Sequence, residues 1–194
     1  MAAVNKPECV IIHHSLTKDN EVLSSFDAIR NNHINVRKFR DIGYHWLLEY
    51  VNRKLVWREG RKEKEVGAHT KELGMNAKSI GICVVGNFDE TVPTAAIYKA
   101  VAEKINEIEA RWGKEMAIFG HGRFATYKSC PGKLFDLNKV ANLVRPVVVT
   151  NNLDKYKAII QEKVGYSKPE GVFSLLDKHP QAEEVYSKWA ESYK

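Results

Sequence analysis

Cysteine is scarce and scattered in this chain. The three that occur, Cys9, Cys83 and Cys130, are odd in number and far apart, which excludes a disulfide framework as the source of stability. No stretch approaches the roughly 20 apolar residues of a membrane span. The N-terminal MAAVNKPE has no apolar signal region, so the chain is expected to be made and folded in the cytoplasm. Internal repeats and low-complexity segments are lacking too. Nowhere do arginines alternate with exposed aromatics in the manner of a base-stacking surface, which argues against nucleic acid as the main partner.

What is present is a soluble composition, 44% hydrophobic and 28% charged over 194 residues. That is enough for one domain, or one domain with a small appendage, to bury a core without cross-links. The net charge of +6 and pI of about 9.1 favour a polyanionic partner, and charge alone does not choose between nucleic acid and an anionic cell-wall polymer.

Strand and helix signals alternate as far as about residue 145. Residues 10–13 are a β-branched run leading into His13, His14 and Ser15, a buried strand that delivers polar groups at its carboxyl end. Val22, Phe26, Ile29 and His33 recur at helical spacing and predict a helix over 21–32. The aromatic-rich stretch 44–50, a polar turn at 51–54 and the run 55–58 predict a β-hairpin. Residues 79–86, SIGICVVG, are the most apolar run and the expected central strand. Pro93-Thr94 opens the strongest helix signal, with Ile97, Val101, Ile105, Ile108 and Trp112 on one face and Gly113 as its stop. A short strand over 116–119 leads into Gly120-His121, and a helix over 134–143 follows Cys130-Pro131-Gly132.

Further on come three short helical pieces: a stripe through Leu153, Tyr156, Ile160 and Val164, a capping box at Ser167 to Glu170, and a helix opened by Pro180. The last carries Ala182, Val185, Tyr186, Trp189 and Tyr193 on one face. The predicted fold class is α/β, a mixed central β-sheet flanked by helices over residues 1–150, with a small helical C-terminal extension over 151–194.

The segment HGRFATYKSCPG, residues 121–132, places an imidazole, an ammonium, a thiol and a Pro-Gly turn within one loop. Histidine and cysteine are the best zinc ligands, and a cysteine on a turn can point at a metal rather than into a core. His121 and Cys130 make half a site. A further ligand is expected from His13 or His14, of which only one faces the metal if the strand continues, because successive strand side chains point to opposite faces. Cys9 and Cys83 sit in apolar runs and read as small buried hydrophobes. Three ligands and an open fourth position make a catalytic zinc site. The residues alone also allow Cys130 to be a nucleophile with His121 as its base, an arrangement with no use for the His-His pair.

The segments IIHHS, DIGYHW, REGR, VGAHT, NAKSIGICVVGNF and GHGRFATYKSCPG, in this order, resemble the zinc-dependent N-acetylmuramoyl-L-alanine amidases. That family includes amidase-type phage lysozymes and peptidoglycan recognition proteins. The resemblance spans roughly residues 7–144 and leaves the C-terminal extension unaccounted for, as packing or wall-binding. It implies Zn2+ held by His13, His121 and Cys130, with His14 structural. It also implies that Tyr44 aligns the attacking water or scissile carbonyl, and that Lys128 stabilises the oxyanion. His69 and Asn76 would line the substrate groove.

The implied reaction is hydrolysis of the amide between N-acetylmuramic acid and the L-alanine of the stem peptide. Peptidoglycan is then the partner, the enzyme a monomer, and the setting that of an endolysin held in the cytoplasm until it reaches the wall. Two other readings are a non-catalytic peptidoglycan-binding module of the same fold, and a cytoplasmic amidase that recycles soluble muropeptides. The complete ligand set argues against the first. One feature departs from the family pattern: the interval from His121 to Cys130 is one residue longer, and residues 123–127 replace the usual segment. That loop is where the assignments of His121 and Lys128 are tested.

Overall fold

The apolar runs of the sequence pair into one five-stranded sheet. In the computed structural model, which describes residues 4–18, 24–145 and 182–191, the strands are β1 (Cys9–His14), β2 (Trp46–Val51), β3 (Lys54–Glu59), β4 (Ser79–Val84) and β5 (Ala117–Gly120). Their order is β3-β2-β4-β1-β5, so the most apolar run does take the centre. β4 runs parallel to β1 and β2, β1 runs parallel to β5, and only the β2–β3 hairpin is antiparallel. Every residue of β1 and β4 is buried, as expected of parallel strands covered on both faces. Asn52 and Arg53 turn the hairpin with φ of 50° and 60°, the left-handed pair that matches the twist of the flanking strands.

Among the described residues of the unit Met1–Pro146, three α-helices accompany the sheet. α1 (Phe26–Asn31) continues through a π turn at Asn32–Val36, and the beginning of the predicted helix, with Val22, lies outside the described residues. Its amino end is held by Glu49, a fully buried carboxylate on β2. Glu49 accepts hydrogen bonds from the Ser25 and Phe26 N–H groups at 2.6 and 3.1 Å and from Arg58 Nε at 2.9 Å. α2 (Ala95–Trp112) starts where the sequence placed it, with Thr94 Oγ1 accepting the Ile97 N–H, and Gly113 closes it at φ 64°. α3 (Leu137–Val144) begins three residues later than expected, because Asp136 caps it and the Pro-Gly turn is extended by a Phe135 N–H to Gly132 O bond of 3.1 Å.

In the second unit, Val147–Lys194, the described helix is α4 (Ala182–Glu191). Tyr186 is fully buried there, whereas Val185 is 36% exposed. The stripe at 153–164 and the capping box at 167–170 lie outside the described residues.

Strand alternation sorts the two faces. Val10 and Ile12 of β1, with Ile80, Ile82 and Val84 of β4, pack against Val101, Ile105 and Ile108 of α2 and Val140 of α3. Each such side chain is worth about 1.5–3 kcal/mol on burial, so this face supplies most of the core. On the opposite face Ile11 joins Cys9 and Met75, and Leu47 and Cys83 join Ile42 and Val85. Cys9 and Cys83 are thus buried hydrophobes, as read. His13 continues the second face and His14 the first.

His33 ties the π turn to the loop before β2. Its Nδ1 accepts the Gly43 N–H at 2.9 Å, which requires a neutral imidazole. Burial, followed by the charges of Arg37 and Arg61, brings its pKa from 6.5 down to about 4. A histidine whose folded pKa is depressed stabilises the fold above its unfolded pKa and loses that contribution as pH falls through the folded value. The wild type should lose stability between pH 6.5 and 4. In His33→Gln the slope of unfolding free energy over that window should be shallower by about 1.4 kcal/mol per pH unit, one proton's worth. Denaturant unfolding at stepped pH measures it, and identical slopes would remove His33 as a source of acid sensitivity.

Candidate active site

Parallel pairing brings the first two predicted ligands together. Ile12 of β1 is level with Gly120 of β5, so His13 and His121, each one residue further on, leave adjacent strands side by side. Their ring centroids are 4.6 Å apart. Cys130 returns beneath them: its Sγ is 3.7 Å from His13 Nδ1 and accepts the His14 backbone N–H at 3.4 Å. The ligand atoms of His13, His121 and Cys130 all lie within 4.8 Å of one another, and all three residues are buried. Zn–N and Zn–S bonds at tetrahedral angles put N and S about 3.6 Å apart, which the 3.7 Å between His13 Nδ1 and Cys130 Sγ matches.

The interval between His121 and Cys130 opens with a tight turn. Residues His121–Arg123 form a 3-10 helix, and Phe124 and Ala125 both donate N–H groups to His121 O, at 3.0 and 3.1 Å. The Gly122 N–H then reaches Cys130 O at 2.7 Å and holds the two ends of the loop together. His14 faces away. Its Nδ1 accepts the Phe88 N–H at 3.2 Å and its ring stacks on Phe88, the structural role expected of it.

The electrostatics favour metal ligation over a cysteine nucleophile. Burial, with His69 and His121 next in size, holds the His13 pKa well below 6.5, so its ring is neutral as a ligand must be. His121 is lowered for the same first reason, then by Lys128. Burial pushes the Cys130 thiol up to about 11, against the smaller opposing pull of the His14 N–H and Lys128. A nucleophilic cysteine needs a lowered pKa, whereas a coordinating cation deprotonates a thiol directly. Two neutral imidazoles and one thiol that a cation would ionise are a donor set suited to zinc.

The remaining predicted residues surround this trio in an open cleft of about 870 Å³. The ring of Tyr44, from the loop before β2, lies 5.2 Å from that of His13. Its phenol pKa is pushed well above 10, first by burial and then by Cys83 and Cys130, so it stays protonated. Lys128 is exposed on the rim. His69 lies deeper than a groove-lining residue need be: it is 8% exposed and its Nδ1 meets His13 Nε2 at 3.1 Å. Asn76 also borders the cleft, but its Oδ1 is engaged by the His69 and Thr70 N–H groups at 2.8 and 2.7 Å, which fixes the turn that carries His69.

Comparison with known proteins places the chain in a family. The family model for N-acetylmuramoyl-L-alanine amidase matches residues 3–133. The chain belongs to that family. Human N-acetylmuramoyl-L-alanine amidase is 30% identical over 139 residues, 65% of this chain and 23% of that protein. The endolysin of Enterobacteria phage K11 is 29% identical over 133 residues, 66% of this chain and 81% of the endolysin. Among solved structures, bumblebee PGRP-SA superposes with a TM-score of 0.59 at 26% identity, over 71% of this chain and 84% of that one. The chain therefore spans about a quarter of the human relative's length and most of the phage and insect ones. The sheet-and-helix architecture is the amidase fold, as expected.

Several residues of this amidase site were not singled out from sequence. Thr70 Oγ1 stands 3.2 Å from His69 Nδ1 and 3.5 Å from His13 Nε2. Glu72 Oε2 lies 3.6 Å from His121 Nε2, and Glu72 Oε1 accepts the Tyr127 hydroxyl at 2.6 Å. Arg37 and Lys71 join Lys128 on the rim. The run HTKEL places a carboxylate three positions after His69, and no spacing rule points from it to a loop 50 residues on.

The His69 ring fits because two glycines leave room for it. A Cβ on Gly81 of β4 would stand 2.5 Å from His69 Cδ2, and one on Gly67 would meet the same atom at 2.5 Å. Gly81→Ala should therefore displace the imidazole that supports His13. The expected result is a divalent-metal affinity lower by roughly 10-fold or more, with about 1–3 kcal/mol lost from overpacking. Metal titration and thermal unfolding test this. A variant with unchanged affinity would mean that His69 does not support the ligand.

Proposed function

We propose that the chain is a zinc-dependent peptidoglycan hydrolase that cleaves the amide between the lactyl group of N-acetylmuramic acid and the L-alanine of the stem peptide. The observation that carries this reading is the buried trio of His13, His121 and Cys130, with ligand atoms within 4.8 Å of one another at the floor of an open cleft. A protein that only bound peptidoglycan would have no use for two imidazoles and a thiol buried at such close range, where desolvation is costly. Family membership and the likeness to a phage endolysin support the same reaction.

When bound, zinc supplies Lewis-acid activation of water near neutral pH and polarisation of the carbonyl. The chain's own residues hold and orient the reactants. Tyr44, protonated and beside His13, offers a hydroxyl to align the attacking water or the scissile carbonyl. Lys128 offers an ammonium to the oxygen that gains charge as the carbonyl is attacked. His69 holds the far nitrogen of His13 and so keeps the ring turned toward the trio. Around the cleft Arg37, Lys71 and Lys128 face a single carboxylate, Glu72, a balance suited to an anionic wall polymer. The named residues all come from the unit Met1–Pro146, which supports action as a monomer and leaves the C-terminal unit for packing or wall contact. The likeness to endolysins supports a setting on the bacterial wall after release from the cytoplasm.

Digestion of purified peptidoglycan with zinc-loaded and chelated protein tests the reaction, with fragments read by mass spectrometry. Free L-alanine amino termini should appear only with metal. New glycan reducing ends without such termini would mean a glycosidase and overturn the proposal. Cys130→Ser should abolish zinc retention and activity together. Lys128→Ala should keep its zinc and lose turnover by roughly 10²–10³-fold if it acts on the oxyanion. Wild-type turnover in that variant would take Lys128 out of the mechanism.

A further inference from the structure

The two imidazoles of the metal trio are supported differently, and the difference assigns a role to a carboxylate. His13 presents Nδ1 to Cys130 Sγ at 3.7 Å while its Nε2 meets His69 Nδ1 at 3.1 Å. His121 has no such imidazole behind it. Among the described residues its Nε2 is buried without a hydrogen-bond partner, and the carboxylate oxygen that faces it, Glu72 Oε2 at 3.6 Å, is likewise buried and without one. Two orphaned polar atoms facing each other across 3.6 Å cost free energy that a small rotation of either group would recover. The side chains are 6% and 17% exposed, so water competes weakly for that contact. Glu72 is itself held on the other side, where its Oε1 accepts the Tyr127 hydroxyl at 2.6 Å. Its backbone turns sharply just beyond, with Leu73 at φ 53°, a conformation rare for leucine.

The geometry points to Glu72 as a positioning residue for the metal centre: its carboxylate accepts the His121 Nε2–H, fixes that tautomer and leaves Nδ1 to ligate, with Tyr127 holding the carboxylate in place. A ligand histidine whose second nitrogen donates to a carboxylate is oriented and made more basic, so the effect falls on metal affinity as well as on turnover. Glu72 opens a short 3-10 turn (Glu72–Ala77) and Tyr127 lies in the loop between His121 and Cys130. Their bond therefore couples the loop that follows His69 to the loop between His121 and Cys130.

This inference rests on the zinc reading above, and the test separates the two. Full-length wild type, Glu72→Gln, Glu72→Ala and Tyr127→Phe are stripped of metal and titrated with zinc against a chromophoric chelator. Side-chain proton–nitrogen NMR on the zinc-loaded proteins reports the histidine tautomers. Glu72→Ala should raise the zinc dissociation constant by roughly 10–100-fold. Glu72→Gln, which keeps an acceptor but no charge, should raise it less, as should Tyr127→Phe. The His121 Nε2–H resonance should be protected from exchange in the wild type and exposed in Glu72→Ala. If Glu72→Ala does not fold, the Glu72→Gln and Tyr127→Phe arms carry the measurement. Zinc affinities within twofold of wild type, with the His121 signal unchanged, would overturn the role of Glu72 and leave the metal site intact. A wild type that binds no zinc would overturn both.

Discussion

The register between β1 and β5 is the constraint on which the rest of this site depends. Because Ile12 is level with Gly120 in a parallel pair, the residues that follow emerge at the same height on neighbouring strands, and both are histidines. A shift of β1 by one residue would turn His13 into the α2 side of the sheet and bring His14 to the cleft, since strand side chains alternate. The hydrophobic pattern guards against that shift. Val10 and Ile12 are committed to α2, and Cys9 and Ile11 to the opposite face, so the core pins the ligand in place. Stability and chemistry therefore share one alignment.

A second constraint follows from burying so much imidazole. His13, His14, His33, His45, His69 and His121 are all less than 9% exposed, and burial disfavours the charged form of each. The fold answers with a specific partner for most ring nitrogens. His33 and His45 take backbone N–H groups from Gly43 and Gly81, each at 2.9 Å, and His14 takes that of Phe88. These are rings used as scaffold, joining the loops to the sheet. His13 differs in turning its Nδ1 toward Cys130 Sγ, and His121 in meeting a carboxylate, instead of a backbone group. The distinction between a structural and a ligating histidine is thus visible as a difference in what each ring's second nitrogen does.

Much of this was legible in the sequence because the signals were periodic or chemically distinctive. The long helix announced both ends, through Pro93-Thr94 and Gly113, and an apolar stripe between them. The trio that comes together was legible because histidine at a strand end and cysteine before Pro-Gly are uncommon outside a site. The trio assembles because the sheet holds one end of the loop at His121 and the His14 N–H meets the other at Cys130, with a 3-10 turn between them. The start of α3 was misplaced because a Pro-Gly turn reads as a helix opening, while Asp136 supplies the actual cap. Glu72 and Tyr127 were missed for a different reason. Their contact joins two irregular loops 55 residues apart, and neither hydrophobic period nor capping logic reaches across such a gap.

That contrast separates what the fold must hold still from what it presents to a substrate. The floor of the cleft is built from strand ends, which inherit their precision from a sheet packed on both faces. The rim is built from loops whose residues, Lys128 and Tyr127 among them, remain exposed and are placed by side-chain contacts. An open cleft of this kind admits a large ligand, so rigidity is needed chiefly at its floor. The imidazole pair His13–His69 and the imidazole–carboxylate pair His121–Glu72 then set the two rings, one through the sheet face over Gly81 and one through the rim. Support that comes partly from the rim ties the metal centre to the surface that meets the substrate, which a site buried wholly in the sheet could not do.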